Sequence, residues 1–343
     1  MFFDEQIFFK HLTPTFERLF GKQRIWLHLS LFILTLYTTT LAGVAWRGYD
    51  PFELSNFGYG LEYSLLLLFF LSSHEFGHFI AARIHGVDVT LPYYIPFPGT
   101  MMGMMPNFGT LGAVIRTRQR IPSRSIIFDI GVAGPIAGFI VCIIILAIGF
   151  ATLPGIEYLQ AIHPDYPLVS AQPGGELFFG KTILYSLLEK VFANHTGYVP
   201  PMSEMYHYPM LCVGWFGLFV TALNLLPVGQ LDGGHLMYGL FPKRVHRIIG
   251  IVTVSVLALF SIPELILGFA GDTLPKYLGW LETIAISGGS SWIFWVVMIL
   301  FVIKLRHPAA VDESPMNIKR KIVGVLTILI FVLSFTPSPI VLQ

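Results

Sequence analysis

Seven stretches of the sequence each run for about 20 residues with almost no charge, and they constrain the fold more than any other feature. An α-helix of this length crosses the hydrocarbon core of a bilayer and satisfies its backbone hydrogen bonds internally. Charged residues make up only 12% of the 343 residues, whereas a soluble domain has about 25%. The sequence therefore predicts an all-α polytopic membrane protein with about seven transmembrane helices. The predicted spans are 25–45, 61–83, 126–152, 207–227, 247–270, 290–305 and 321–339.

The lysine and arginine residues fall mainly on one side of these spans. If the N-terminal segment 1–24 is cytosolic, 17 of the 21 Lys and Arg residues lie in cytosolic segments. Because membrane proteins concentrate positive charge on their cytosolic side, we expect a cytosolic N-terminus. The first span is longer than a signal-peptide core, so we expect it to be retained. The protein is then an integral multi-pass protein, of the inner membrane if the organism is prokaryotic.

Two connections between the spans carry further patterns. Residues 84–125 are rich in Pro and Gly and then alternate through GTLGAVIRTRQRI, which predicts a short strand-containing cytosolic or re-entrant segment. Residues 153–206 form the longest outer connection, and the apolar spacing within 176–192 predicts an amphipathic helix on the membrane surface. Neither connection is typical of a separate domain. We therefore expect one transmembrane domain over 25–343, with its C-terminal helices within 247–339.

Three ionisable residues stand together in the second predicted span, in the sequence HEFGH. Each such group costs several kcal/mol in a membrane unless a partner or an ion stabilises it. Histidines four residues apart lie on one face of a helix, so His74 and His78 can both reach one metal ion at about 2.0–2.1 Å. Zinc is the natural occupant of such a site. Glu75 is then placed to take a proton from a water molecule.

A further ligand has to come from another part of the chain, and the segment TALNLLPVGQLDGGH (221–235) offers two candidates. On ligand chemistry alone, either Asp232 or His235 could bind zinc. A charge argument favours Asp232, because a buried carboxylate needs a nearby cation while a neutral imidazole needs only a hydrogen bond. We interpret Gly233 and Gly234 as a helix-ending turn in which glycine adopts positive φ. Such a turn is compatible with metal binding.

The two motifs together resemble the site-2 protease family of intramembrane zinc metalloproteases. In that pattern H-E-x-x-H is followed by N-x-x-P-x-x-x-L-D-G-G, here over 224–234, and DIGVAGPIAG (129–138) is similar to the bacterial and plastid branch. The resemblance covers about 61–240, the expected catalytic core. It implies one zinc ion per chain and a membrane-spanning protein substrate that is cut within the lipid bilayer or at its cytosolic edge, in regulated intramembrane proteolysis. The residues it implies are the ligands His74, His78 and Asp232, the catalytic Glu75, and Asn224 as a hydrogen-bond donor.

Other functions are compatible with parts of the pattern. A zinc membrane peptidase of another fold would close its site with a distal Glu, and the LDGG segment argues against it. A transporter or another non-proteolytic membrane protein predicts that Glu75 is dispensable. The net charge of +1 gives no reason to expect a nucleic-acid partner, and the sequence carries no signal for an oligomeric state.

Three further features have simpler interpretations. We expect Gly134, Pro135 and Gly138 to permit close helix packing. We interpret His207 as an interfacial residue rather than a metal ligand, and the methionines of 101–105 as the lining of a substrate groove.

Overall fold

The computed structural model describes residues 23–104, 107–164, 166, 177–193, 198–270, 291–305, 310–312 and 314–342. The predicted N-terminal segment 1–24 lies outside these residues, except for Gln23 and Arg24. Parts of the predicted surface connection 153–206 also lie outside them. The described chain is mostly helical. Its helices are α1 Ile25–Trp46, α2 Phe57–Ile84, α3 Arg124–Ala151, α4 Ile156–Ile162, α5 Ile183–Phe192, α6 Pro209–Asn224, α7 Asp232–Leu240, α8 Lys243–Ala270, α9 Ser291–Met298 and α10 Ile318–Ser334.

Helices occur at all seven predicted spans, but the number of spans is not confirmed. Among the described residues, four helices are long and apolar enough to cross a membrane: α1, α2 with the turn before it, α3 and the Lys243–Ile262 part of α8. Helix α6 has 16 residues, and the apolar helix Trp292–Ile303 is also short. A helix usually needs about 20 residues to cross a membrane. Helix α6 and Trp292–Ile303 are shorter than this, whereas the four candidate spans reach it.

Helix α2 lies at the centre of the fold and packs against α1, α3 and α6. Small residues allow these close approaches, as is usual between membrane helices. A Cβ on Gly60 would overlap the Thr40 carbonyl oxygen of α1, and one on Gly77 would lie 2.6 Å from the Ala133 carbonyl oxygen of α3. The ends of α3 and α10 are set by capping, since Ser123 accepts a hydrogen bond from Ile126 N and Asn317 accepts one from Arg320 N.

Two short antiparallel sheets join segments outside the helices. The strands β1 Tyr93–Pro96 and β2 Thr110–Val114 pair in the connection after α2, which confirms the strands predicted there. The strands β3 Leu177–Phe179 and β4 Ile340–Leu342 also pair, although about 160 residues separate them in the sequence.

The amphipathic helix predicted over 176–192 is shorter than expected. It begins at Ile183, where Thr182 caps it, because Leu177–Phe179 is taken up by pairing with β4. Leu184 and Leu188 are buried against the protein, while Ile183, Leu187 and Val191 are exposed.

Candidate metal centre and active site

The two histidines of the HEFGH motif lie on one face of α2, as their spacing predicts. His74 and His78 are both buried, and their Nε2 atoms are 3.1 Å apart. Nδ1 of His78 is 2.7 Å from the carbonyl oxygen of Ile130 on α3. Since this oxygen can only accept a hydrogen bond, Nδ1 carries a proton, and in the neutral imidazole Nε2 of His78 then keeps its lone pair for a metal ion.

Asp232 approaches the same point from the first residue of α7. Its Oδ2 atom is 3.3 Å from His74 Nε2 and 3.2 Å from His78 Nε2. The first turn of a helix has unpaired backbone N–H groups and a partial positive charge, both of which favour a carboxylate. Two helices, α2 and α7, therefore build a compact cluster from residues that are far apart in the sequence.

The glycines after Asp232 begin a helix, so the interpretation of LDGG as a helix-ending turn is wrong. A Cβ on Gly233 would overlap the Leu225 carbonyl oxygen, and one on Gly234 would overlap the Gly229 carbonyl oxygen. The positive φ in this segment belongs to Gly229, at +57°. The first turn of α7 is thus pressed against the turn that follows α6, and side chains at 233 and 234 would push Asp232 away.

The geometry of the three side chains fits a zinc ion. Tetrahedral ligands at about 2.0–2.1 Å from zinc lie about 3.3–3.4 Å from one another. The three atom pairs of His74, His78 and Asp232 are separated by 3.1–3.3 Å. Two neutral imidazoles and one carboxylate also form a donor set that zinc enzymes use, with a position left open.

The two residues expected to act beside the metal also lie at this point. Glu75 is buried, and its carboxylate accepts a hydrogen bond from the backbone N–H of Ile115, just beyond β2. Asn224 is the last residue of α6, and its Nδ2 atom is 3.3 Å from His74 Nε2. Both side chains line the same cavity as the cluster.

This cavity has a volume of about 760 Å³ and is bounded on one side by β2. Ala113, Val114 and Ile115 line it together with His74, Glu75 and Asp232. Within the described residues β2 pairs with β1 and with no second strand, so its other edge can pair with another extended chain. The cavity can therefore hold a peptide between a strand edge and the cluster.

His235, the rival third ligand, lies one turn further along α7. It lines the cavity, but it is not among the three side chains whose ligand atoms cluster in the described part of the chain. Its Cβ packs against Gly131, where a Cβ on the glycine would lie 2.6 Å away.

Two residues that shape this centre were not predicted to do so. The Ile130 carbonyl oxygen orients His78, and no sequence signal could have found it, because every residue has a carbonyl group. Gly134 was expected to serve helix packing. Its neighbour is in fact the imidazole of His78, which a Cβ on Gly134 would overlap.

Comparison with known proteins gives a family match over the same region. Residues 62–262, more than half of the chain, match the model of peptidase family M50. The "Probable zinc metalloprotease EGY1, chloroplastic" of Arabidopsis thaliana is 31% identical over 186 residues, which are 54% of this chain and 30% of that protein. Its namesake from Oryza sativa subsp. japonica is 30% identical over 188 residues, 54% of this chain and 29% of that protein.

A third relative matches over a longer part of the chain. The "Probable zinc metalloprotease EGY2, chloroplastic" of Oryza sativa subsp. indica is 25% identical over 237 residues, 67% of this chain and 39% of that protein. The chain thus spans well under half the length of these relatives. No solved structure matches it. With a family match over 62–262 and four helices in the described part of the chain that are apolar and long enough to cross a membrane, the chain is a membrane protein that belongs to peptidase family M50, the site-2 protease family.

Proposed function

We propose that this protein is an intramembrane zinc metalloendopeptidase. It cuts transmembrane-helix substrates within the bilayer or at its cytosolic edge, in regulated intramembrane proteolysis. The observation that carries the proposal is the convergence of His74, His78, Asp232 and Glu75 on one cavity beside the open edge of β2. The relatives named as zinc metalloproteases support the same chemistry.

The three clustered side chains would hold one zinc ion. When bound, zinc supplies Lewis acidity and lowers the pKa of a water ligand to about 7. Glu75 is buried within the same cavity, so little bulk water competes with its carboxylate for a proton. We assign Glu75 the role of general base, which takes a proton from the attacking water and later returns it to the leaving amine.

Asn224 would act on the substrate rather than on the water. Its side-chain amide is an N–H donor beside His74 and lines the cavity. An amide donor there can hydrogen-bond the carbonyl oxygen of the scissile peptide bond as negative charge develops on it.

The substrate has to be extended for this reaction. A peptide bond inside a helix is shielded by its own hydrogen bonds, so a transmembrane helix must unwind locally. The free edge of β2 can pair with the unwound segment and hold it against Glu75 and the metal ligands. Residues that break helices should therefore favour cleavage when they lie near the cut.

The cut is expected near the cytosolic end of the substrate span. His74 is nine residues from Arg83, which corresponds to about 13 Å of helix. With the N-terminus cytosolic, as the charge distribution indicates, this end of α2 is also cytosolic. Product termini read by mass spectrometry test this depth, and a cut at the outer end of the substrate span would contradict it.

The test of the activity compares two glutamates on the same helix. Purified wild-type protein, Glu75→Gln and Glu62→Gln are incubated with a single-span model substrate, and zinc content and cleavage are both measured. Glu75→Gln should keep zinc and fold but lose cleavage by at least about 10²-fold, because the amide cannot accept the proton. Glu62 is exposed and far from the cavity, so Glu62→Gln should behave as wild type.

The same experiment separates the competing functions. Cleavage by Glu75→Gln at a near wild-type rate would contradict the proposed mechanism. A transporter or other non-proteolytic protein would leave the substrate intact even with zinc bound. Membership of family M50 favours this site over a zinc peptidase of another fold.

A further inference from the structure

A second cluster of possible metal ligands lies at the other end of α6. It consists of His163, the residue that follows α4, and of Glu204 and His207 just before α6. Asn224, beside the first cluster, is 15 residues beyond Pro209, so the rise of α6 separates the two clusters by about 22 Å. They are therefore separate sites.

The ligand atoms of this second cluster form a triangle. Nε2 of His163 is 2.9 Å from Nε2 of His207, and Oε2 of Glu204 is 3.6 Å from the first and 3.4 Å from the second. These separations bracket the distance of about 3.3–3.4 Å expected between tetrahedral zinc ligands. The first cluster has the same composition, two imidazoles and one carboxylate, and similar separations.

Glu204 is a buried carboxylate, and the described residues supply no hydrogen-bond donor to one of its oxygen atoms. Its side chain is 10% exposed, and Oε2 has no hydrogen-bond partner in the described part of the chain. The ion pairs of this carboxylate in the described chain are those with His163 and His207. A buried carboxylate is costly unless a cation stabilises it, and neutral imidazoles do not supply one.

A hydrogen bond between the two imidazoles does not remove this cost. One ring can donate from Nε2 to the other at 2.9 Å, but Glu204 Oε2 is then left without a donor from any residue that the structure describes. The side chain of His207 is 4% exposed, and its Nδ1 atom also has no hydrogen-bond partner in the described chain. A divalent cation bound at both Nε2 atoms and Oε2 would satisfy the three converging atoms at once.

The local structure holds the buried ligands in place. Glu204 and His207 are three residues apart around one turn of 3₁₀-helix, and His207 N donates to the Glu204 carbonyl oxygen. The hydroxyl of Tyr158 on α4 donates to the His207 carbonyl oxygen at 2.9 Å. His163 has a side chain 47% exposed, so an ion can reach the cluster and a water molecule can complete its coordination.

We propose that His163, Glu204 and His207 form a second zinc site, which fastens the end of α4 to the start of α6. Two imidazoles exclude the hard cations calcium and magnesium, which take oxygen ligands, and favour zinc among the common divalent ions. Binding closes a loop of 44 residues between His163 and His207, so zinc at this site stabilises the folded state. The interpretation of His207 as an interfacial residue is replaced by that of a buried ligand.

The test measures zinc in the full-length protein, purified without a polyhistidine tag. After loading with zinc and dialysis, elemental analysis should find two zinc ions per chain in the wild type. It should find one in His163→Ala and one in Glu204→Gln. Asp232→Ala, which disables the first cluster, should keep the second ion. His85→Ala is the matched control, because His85 also pairs with an aspartate, Asp129, but has no part in either cluster.

A second measurement does not depend on stoichiometry. Added zinc should raise the thermal unfolding midpoint of Asp232→Ala, and this rise should vanish in Asp232→Ala/His163→Ala. His163 is half-exposed, so its replacement leaves folding intact even if Glu204→Gln does not fold. One zinc ion in the wild type with none in Asp232→Ala would overturn the second site, as would two ions in His163→Ala. Since cleavage is not measured, these outcomes are independent of the proposed protease activity.

Discussion

Gly134 on α3 faces the imidazole of His78 on α2 so closely that a methyl group at position 134 would overlap Nε2 of His78. The imidazole cannot turn aside freely, because the Ile130 carbonyl oxygen holds its Nδ1 atom. Two contacts with α3, one at the Ile130 carbonyl oxygen and one at Gly134, therefore fix the position of the His78 imidazole.

Replacing Gly134 by alanine should therefore weaken metal binding without disturbing the rest of the fold. We expect Gly134→Ala to lower zinc affinity at the first cluster by about 10–100-fold, the loss typical when a residue that positions a ligand is changed. Gly58→Ala is the matched control, because a Cβ at Gly58 meets no atom within 4 Å. Zinc titration of the two purified variants measures the difference, and equal affinities would contradict the argument.

Asp232 and His235 can be distinguished by metal content. Asp232→Ala should lose zinc from the first cluster and abolish cleavage, because its Oδ2 atom faces both imidazoles. His235→Gln should keep that zinc and measurable activity, since its side chain lies outside the group of three ligand atoms. If His235→Gln loses the zinc and Asp232→Ala retains it, the assignment of the third ligand is reversed.

The pair formed by Asp129 and Arg320 should matter for stability. Arg320 on α10 donates from Nε and Nη2 to both carboxylate oxygens of Asp129 on α3, at 2.8 and 2.7 Å. Both side chains are partly buried, so we expect Arg320→Gln to lower the free energy of unfolding by about 1–3 kcal/mol. Thermal unfolding in detergent should show a drop of a few degrees. The exposed neighbour Lys319 gives the control Lys319→Gln, with the same charge change and little expected effect.

The proposed orientation in the membrane can be checked by labelling. Gln119, beyond β2, and Gln160, on α4, are both exposed and lie on opposite sides of the predicted topology. An impermeant thiol reagent should label Gln160→Cys in intact cells and Gln119→Cys only after permeabilisation. The native Cys142 and Cys212 are buried and give little background. Labelling of position 119 alone in intact cells would invert the topology.

The first cluster could be predicted from the sequence because its ligands follow local rules. His74 and His78 obey helical spacing, and Asp232 stands in a motif with a recognisable resemblance. The second cluster follows no such rule. His163 is separated from His207 by 44 residues, and none of its three ligands lies inside a periodic segment, so the sequence offers no reason to group them.

The predictions for the glycine pair and for the start of the amphipathic helix failed for the same physical reason, which is contact with another segment of the chain. Glycine pairs usually end helices, but Gly233 and Gly234 begin α7 because only glycine fits against the carbonyl oxygens of residues 225 and 229. Leu177 and Phe178 have a spacing that fits a helix, yet they form a strand because residues 340–342 supply the pairing edge. The intrinsic conformational preferences of these residues cannot reveal the distant segment that each of them contacts.

The pairing of β3 with β4 also has a consequence for how the protein is made. About 160 residues separate the end of β3 from the start of β4, so β3 leaves the ribosome long before its partner exists. At roughly 5–20 residues per second, β3 waits about 10–30 s with its edge unpaired while α5 to α10 are synthesised. During that interval the strand is open to chaperones and to mispairing with other nascent chains. The β3–β4 sheet can therefore form only after the helices between its strands have been synthesised. Slowing late elongation should lengthen the period in which the nascent protein is vulnerable to quality-control proteases.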